Sequence, residues 1–214
     1  MAGHREVLTR RWDALVARLG VDDRLAGRAL AQLLTAHEGA DRHYHDLRHL
    51  EECFELVDSM PDLVGADRDC VEVALWFHDV VYDTRATDNE RRSAEVAAGF
   101  LGDAGRVDLV ARVVEAIEMT AGHAPVSRSP VLDAVHDADL AILGAAPHRY
   151  DEYAHAIRTE YAHVGDEDFR DGRARVLRSF LAMKQIYIRS DMALHEVEAR
   201  RNLEREVRAL ATAG

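Results

Sequence analysis

The chain has 214 residues, of which 48% are hydrophobic and only four are prolines, so it is long enough to bury the core of one large domain. Its formal net charge of −12 repels polyanions, which argues against polymeric nucleic acid and anionic membranes as partners. Its two cysteines, Cys53 and Cys70, are too few for a disulfide framework and are expected to be reduced core residues.

Apolar residues recur at intervals close to one helical turn along the whole chain, and alternating β-branched runs are absent. We therefore predict an all-α fold, a single-domain multi-helix bundle over residues 1–214. The chain has no apolar run of about 18 residues and no signal-peptide pattern at its start, which predicts a cytoplasmic protein without a membrane partner. The predicted helices span residues 5–19, 23–37, 46–59, 67–82, 89–102, 106–121, 130–143, 148–163, 167–188 and 192–212.

The first segment with a chemical pattern, Arg-His-Tyr-His-Asp-Leu-Arg-His, lies at the predicted start of the third helix. It sets His45 and His49 four residues apart, on one face of that helix. A phosphoryl oxygen or the turn at the helix start are two alternative hydrogen-bond partners for His45. Arg42, Arg48 and Arg85 lie nearby in sequence, and guanidinium groups bind phosphate in a bidentate way. They are candidates only, because arginine is the usual cation of this chain.

Residues 75–84 read Leu-Trp-Phe-His-Asp-Val-Val-Tyr-Asp-Thr, so that His78 and Asp79 close an apolar helical run expected to be core. Burying an imidazole and a carboxylate requires a partner for the charge, and a metal ion shared with other helices is the simplest one. A satisfied core histidine beside a helix-terminal aspartate is the ordinary alternative. Asp83, one turn further on, is a candidate to accept a proton from an attacking water, or else to cap the turn or pair with Arg85.

Asp139 lies just ahead of an apolar turn that stops at Gly144. With His49, His78 and Asp79 it supplies two imidazoles and two carboxylates, each where a helix passes from polar to buried sequence. We predict that these four residues bind one divalent ion. Their donor atoms suit Mn²⁺, Fe²⁺, Co²⁺, Ni²⁺ or Zn²⁺ better than the oxygen-preferring Ca²⁺ or Mg²⁺.

Two further residues are candidates for supporting roles. Glu90 is a candidate to orient the water or a ligand histidine, or else it favours the N-terminal turn of its helix. His123, in Met-Thr-Ala-Gly-His, is a candidate phosphate contact or an ordinary loop histidine. A helically spaced stripe later in the chain fits a core-facing surface, and also the wall of a base-binding pocket. The stripe consists of Tyr150, Tyr153, Ile157, Arg158 and Tyr161.

The order of the four predicted ligands resembles the metal-binding pattern of the HD-domain phosphohydrolase superfamily. The segments Tyr-His-Asp-Leu-Arg-His, Phe-His-Asp-Val-Val-Tyr and Asn-Glu-Arg-Arg-Ser-Ala look like its group of predicted metal-dependent HD hydrolases. The resemblance covers a metal-binding core of about residues 40–190. It implies an all-α HD-domain bundle that holds one divalent ion and hydrolyses a small phosphorylated substrate, a phosphate ester or nucleotide, with a metal-bound water.

A second comparison, with the stringent-response (p)ppGpp hydrolases, shows a departure. Those proteins carry His-Asp-x-x-Glu-Asp-Thr, whereas Tyr82 replaces the glutamate here, which counts against guanosine tetraphosphate as the substrate. One alternative is a di-iron HD-type oxygenase, for which the interval between the His-Asp pair and the distal aspartate offers only His123 and His136. Another is a catalytically inactive, nucleotide-sensing HD protein. The oligomeric state stays open, with a homodimer among the options.

Overall fold

A computed structural model describes residues 2–122 and 129–212. In those ranges the chain forms ten α-helices, two short 3-10 helices and no strand, which confirms the predicted all-α, single-domain fold. None of the described helices combines the length and apolar character needed to cross a membrane. The α-helices are α1 (Ala2–Leu19), α2 (Asp23–His37), α3 (Leu47–Asp58), α4 (Gly65–Phe77), α5 (Asn89–Asp103), α6 (Val107–Met119), α7 (Pro130–Asp139), α8 (Pro147–Glu160), α9 (Asp166–Ala182) and α10 (Ala193–Thr212).

Helix α4 ends at Phe77, five residues before the predicted end at 82. The backbone beyond it turns tightly, with the N–H of Val80 donating to the carbonyl of Phe77 over 3.0 Å. Side chains from other elements then replace the helical partners. Arg42 donates to the carbonyl of Val80, and the hydroxyl of Ser93 bonds both backbone groups of the next residue. Because these partners come from distant sequence, the turn is stable where local periodicity favours a helix.

Helix α9 likewise ends at Ala182 and not at 188. Two carboxylates accept hydrogen bonds from the backbone N–H groups of the segment that follows. Glu196 accepts from Ile186 and Tyr187 over 2.8 and 3.1 Å. The fully buried Asp137 accepts from the next two residues, each over 2.8 Å. These bonds satisfy the extended backbone and so remove the need for helical ones.

Two hydrophobic clusters form the interior. The larger one is built by α1 to α7, and the smaller one by α8 to α10 together with the 3-10 helix Leu140–Gly144. In the larger cluster Trp12 packs edge-on against Trp76 at 5.3 Å, and Phe77 stacks on Phe100 at 5.3 Å. These aromatic contacts fix the end of α4. Asp139 lies between the last residue of the larger cluster and the first 3-10 residue of the smaller one, so the candidate site lies where the two meet.

Gly144 is a close contact between the 3-10 helix and α10. A Cβ at this position lies 2.7 Å from the carbonyl oxygen of His195 and 2.9 Å from its Cα. We expect Gly144→Ala to destabilise the protein by about 1–3 kcal/mol, because backbone atoms cannot yield as a flexible side chain can. In thermal unfolding this lowers Tm by about 2–12 °C.

The matched control is Gly99→Ala, at an exposed position inside α5 where a Cβ meets no atom within 4 Å. That change is expected to raise the free energy of unfolding by about 0.5–1 kcal/mol, since alanine is the better helix former. Equal effects of the two substitutions on Tm contradict the close packing of α10 on Gly144.

Candidate metal centre

His49 is positioned by the start of α3. The N-cap of that helix is Asp46, whose carboxylate accepts from the backbone N–H groups of Arg48 and His49 over 2.8 and 3.2 Å. An aspartate N-cap is among the strongest local signals for a helix start. His49 therefore stands in the first turn of α3, with its side chain only 2% exposed.

His78 and Asp79 lie in the turn that ends α4. The Nδ1–H of His78 donates to the carbonyl of Leu75 over 2.8 Å, so Nε2 is the ring nitrogen that faces the other three side chains. The side chain of His78 is 1% exposed, whereas that of Asp79 is 15% exposed. The adjacent pair thus offers one buried nitrogen and one half-open carboxylate to the same side of the turn.

Four side chains from three parts of the chain converge at this point. The Nε2 atoms of His49 and His78 lie 3.2 Å apart. Oδ2 of Asp79 is 3.1 Å from Nε2 of His78 and 3.8 Å from that of His49. Oδ1 of Asp139, the last residue of α7, lies 3.4 Å from each of the two nitrogens.

These separations fit a shared metal ion. Bonds of about 2.0–2.2 Å from one ion place neighbouring donor atoms about 3 Å apart at right angles and slightly further apart at tetrahedral angles. The ligand atoms of His49, His78 and Asp79 all lie within 4.8 Å of one another, and this group can hold a metal ion. Asp139 reaches both imidazoles from the end of α7. Two imidazole nitrogens and two carboxylates face one another here, and one shared cation can satisfy all four groups.

The electrostatics favour a cation at the same place. Burial opposes the charged form of His78, but the carboxylates of Asp79 and Asp139 outweigh it, so the pKa of His78 is raised well above its usual value. Burial also opposes ionisation of Asp79, and here His78 and His45 outweigh it, which lowers the pKa of Asp79. The carboxylate of Asp79 thus stays ionised in an enclosed site that attracts positive charge.

Cys53 lies beside His49 and packs against it. Its Sγ is 3.7 Å from both ring nitrogens of His49, and it donates to the carbonyl of Ala138 over 3.4 Å. Burial raises the pKa of Cys53 well above its usual value. The group is therefore a neutral thiol, and a thiolate is the form that binds metal.

A second constellation lies next to the metal centre, around Glu160 at the end of α8. One carboxylate oxygen of Glu160 accepts three successive backbone N–H groups, from residues 43–45, over 2.8, 2.7 and 3.0 Å. The other accepts from Nδ1 of His45 and from the hydroxyl of Tyr82, each over 2.8 Å. The ring of Tyr82 also lies against that of His45, with 4.2 Å between centroids.

This carboxylate fixes His45. Burial raises the pKa of Glu160, but the hydrogen bond and charge of His45 and the backbone donors outweigh it and lower the pKa to about 2. Burial lowers the pKa of His45, yet Asp79 and Glu160 raise it more. Because a carboxylate only accepts, Nδ1 of His45 carries a proton, and Nε2 is the ring nitrogen left for a ligand.

Glu160 is not among the residues predicted from the sequence, although its position in the apolar pattern of α8 indicates that it is buried. Tyr150, Tyr153 and Ile157 form the buried face of α8, and Glu160 continues it three residues later. A carboxylate on an apolar face requires partners, as Glu72 in α4 also illustrates. Tyr82, noted only as the replacement for a glutamate, is one of the partners of Glu160.

A cavity of about 840 Å³ opens from the metal centre. Its wall includes Asp79 and Asp139, so a bound ion faces it, and His45 lines it beside them. Among the predicted supporting residues, Asp83 and Glu90 also line the cavity. One oxygen of Asp83 accepts from the backbone of Arg85 over 2.9 Å, which is the capping geometry considered for it. Glu90, half-buried in the first turn of α5, has no ion-pair partner among the described residues.

Two arginines predicted to bind substrate, Arg42 and Arg85, lie outside the cavity wall. Arg42 donates to the carbonyls of His45 and Val80 over 3.0 and 3.3 Å, and its guanidinium stacks over Tyr82 at 5.3 Å. Neither Arg42 nor Arg85 is among the described residues that line the cavity, and Arg85 is exposed. Arg42 therefore stabilises the backbone at His45 and Val80. The prediction for His123 falls outside the described residues.

No protein-family model matches the chain, and no curated protein or solved structure matches it either. The likeness to the HD-domain superfamily therefore rests on the residue motifs and on a His/His/Asp cluster compatible with a metal site in an all-α fold.

Proposed function

We propose that this protein is a metal-dependent phosphohydrolase of the HD type, which cleaves a small phosphate ester or nucleotide. The observation that carries the proposal is the convergence of His49, His78, Asp79 and Asp139 beside a cavity large enough for a small molecule, with both carboxylates in its wall. The four residues come from three separate helix ends. Their combination of two imidazoles and two carboxylates also follows the order of the HD-domain ligands.

A divalent ion, when bound by these residues, polarises a phosphoryl group and lowers the pKa of water. The neighbouring side chains have separate roles in the proposal. His45 donates from Nε2 to a phosphoryl oxygen, and Glu160 holds its ring by the opposite nitrogen. Glu90 accepts a hydrogen bond from the attacking water, because its carboxylate lines the cavity and lacks an ion-pair partner in the described part of the chain. Asp83 is the second candidate to accept a proton from this water.

Tyr82 favours one alternative, a nucleotide sensor without turnover. The position that bears a glutamate in the (p)ppGpp hydrolases here carries a hydroxyl committed to Glu160. Glu160 itself is held by backbone donors and by His45. A sensor needs the metal and the cavity but no residue that activates water, so binding without hydrolysis distinguishes it.

Turnover of a panel of phosphoesters tests the proposal. We expect the protein loaded with Mn²⁺, Co²⁺ or Ni²⁺ to release phosphate from at least one monoester or nucleotide. His49→Ala is expected to reduce that rate about 100-fold or more, since a metal ion contributes several kcal/mol of transition-state stabilisation.

The matched control is His148→Ala, which removes an exposed imidazole at the start of α8. It is expected to keep the full rate. Tight binding of a nucleotide without turnover under every metal contradicts hydrolysis and supports the sensor. Equal rates in the two histidine variants place the measured hydrolysis in a contaminant.

A further inference from the structure

The cavity extends well beyond the metal centre. Its volume of about 840 Å³ lies in the upper part of the range for sites that enclose a whole small molecule. The part of the wall that lies away from the metal-binding residues is built by α8, α9 and the 3-10 helix Leu140–Gly144. The substrate body, and not only its reacting group, therefore has a place in the fold.

The charges on the wall select against a polyanion. Of the described residues that line the cavity, five carry a carboxylate and two carry a guanidinium. The carboxylates are Asp79, Asp83, Glu90, Asp139 and Asp168, and the guanidinium groups are Arg173 and Arg175. Arg173 is already neutralised, since its Nε and Nη2 bind both oxygens of Glu206 over 2.8 and 3.1 Å. Among the lining residues that the structure describes, only the exposed Arg175 is left to meet an anion beyond the metal centre.

Apart from these charges, the part of the wall formed by α8, α9 and the 3-10 helix is mainly apolar, whereas the polar side chains of Thr87, Asn89 and Thr120 come from other parts of the chain. Leu143, Ile157, Leu177 and Phe180 are nearly buried, and Met183 is half-buried. The ring of Tyr153 joins them, with its hydroxyl held by Arg173 over 3.1 Å. An apolar ligand gains free energy when its surface leaves water to contact these side chains, which offer few donors to a sugar or a second phosphate.

We propose, on the basis of the proposed function, that the substrate class is a phosphomonoester with one phosphate group and an uncharged, apolar body. The phosphate lies at the metal centre and the body lies against α8 and α9. Polyphosphates are poor ligands, because each phosphate beyond the first meets a wall whose described residues carry more carboxylates than available guanidinium groups, with the exposed Arg175 as the one such group.

Alkylphosphonates test this proposal without any turnover, because their carbon–phosphorus bond resists hydrolysis. Binding of methyl-, butyl- and octylphosphonate to the Mn²⁺-loaded protein is measured by calorimetry at a fixed free Mn²⁺ concentration. A fully buried methylene strengthens binding about fourfold. We therefore expect affinity to rise about tenfold or more from butyl to octyl, and the β,γ-methylene analogue of ATP to bind more weakly than octylphosphonate.

A charge placed in the wall serves as the variant. Met183→Glu is expected to reduce the octyl-to-butyl affinity ratio to near one, while Leu194→Glu, which adds the same charge at an exposed site of α10 outside the lining, keeps it. Affinity independent of chain length, or tighter binding of the ATP analogue, overturns the substrate class. Chain-length dependence without phosphoester turnover supports the class and contradicts hydrolysis, so the two failures are distinguishable.

Discussion

Asp79→Ala is expected to abolish stoichiometric binding of a divalent ion. Removing a partner that merely orients a metal ligand typically costs about 10- to 100-fold in affinity, and the loss of a direct ligand is expected to cost more. Asp79 also supplies one of the two carboxylates that outweigh burial and raise the pKa of His78. Without it, the enclosed site loses one of its two carboxylate groups.

Metal content and thermal unfolding measure the loss. We expect about one ion per chain in the wild-type protein after dialysis against Mn²⁺, and close to none in Asp79→Ala. A metal present at 100 times its Kd stabilises a protein by about 2.7 kcal/mol, which raises Tm by about 5–10 °C for a chain of this size. The variant is expected to show no such rise.

The control for this experiment is Asp103→Ala, because Asp103 is exposed at the end of α5. It is expected to bind and respond to metal like the wild type. Full metal content in Asp79→Ala rules out the proposed ligand set. Two irons per wild-type chain together with O₂ consumption contradict a single ion and favour the oxygenase alternative.

The residues that converge could be selected from sequence because each lies at a local transition. His49 follows an aspartate cap, the His78-Asp79 pair ends an apolar helix, and Asp139 precedes an apolar turn. Changes from polar to apolar sequence at such positions are readable from composition and spacing. How the three segments come together in space is not readable from sequence, since it depends on how the two hydrophobic clusters pack. The family resemblance supplied that missing step.

The two largest errors in helix bounds share one physical cause. Periodicity predicts where a helix is favourable, but α4 and α9 stop where side chains from remote sequence satisfy the backbone. Arg42 and Ser93 do so after α4, and Asp137 and Glu196 do so after α9. The same long-range pairing explains why Arg42 does not reach the cavity. Its guanidinium is used by carbonyl groups that no sequence pattern assigns to it.

Glu160→Gln is expected to disorganise the site from outside the ligand set. The carboxylate accepts five hydrogen bonds, from the backbone of residues 43–45, from His45 and from Tyr82. An amide has one acceptor atom, so its NH₂ group faces donors at one end. Turnover of any substrate is expected to fall about 10- to 100-fold, the effect typical of losing a group that orients a functional side chain.

The contribution of Glu160 to the free energy of unfolding depends on pH. The pKa of Glu160 is lowered in the folded protein from 4.5 to about 2, so ionised Glu160 stabilises the fold. A shift of this size corresponds to about 3 kcal/mol. The contribution is fully present above about pH 4.5 and is lost as the pH falls toward 2. The wild-type and Glu160→Gln curves of unfolding free energy against pH are therefore expected to converge only at the acid end.

Nuclear magnetic resonance of His45 separates positioning from simple destabilisation. In the wild type its Nδ1 proton is expected to be observable, because it is held by Glu160, and in Glu160→Gln it is expected to exchange away. Tyr82→Phe removes one donor to the carboxylate but keeps the ring that lies against His45, so the Nδ1 proton is expected to persist. Glu118→Gln, at an exposed position of α6, controls for the loss of one surface charge. A retained Nδ1 signal with reduced turnover in Glu160→Gln contradicts the positioning role, because the carboxylate then acts by some route other than His45.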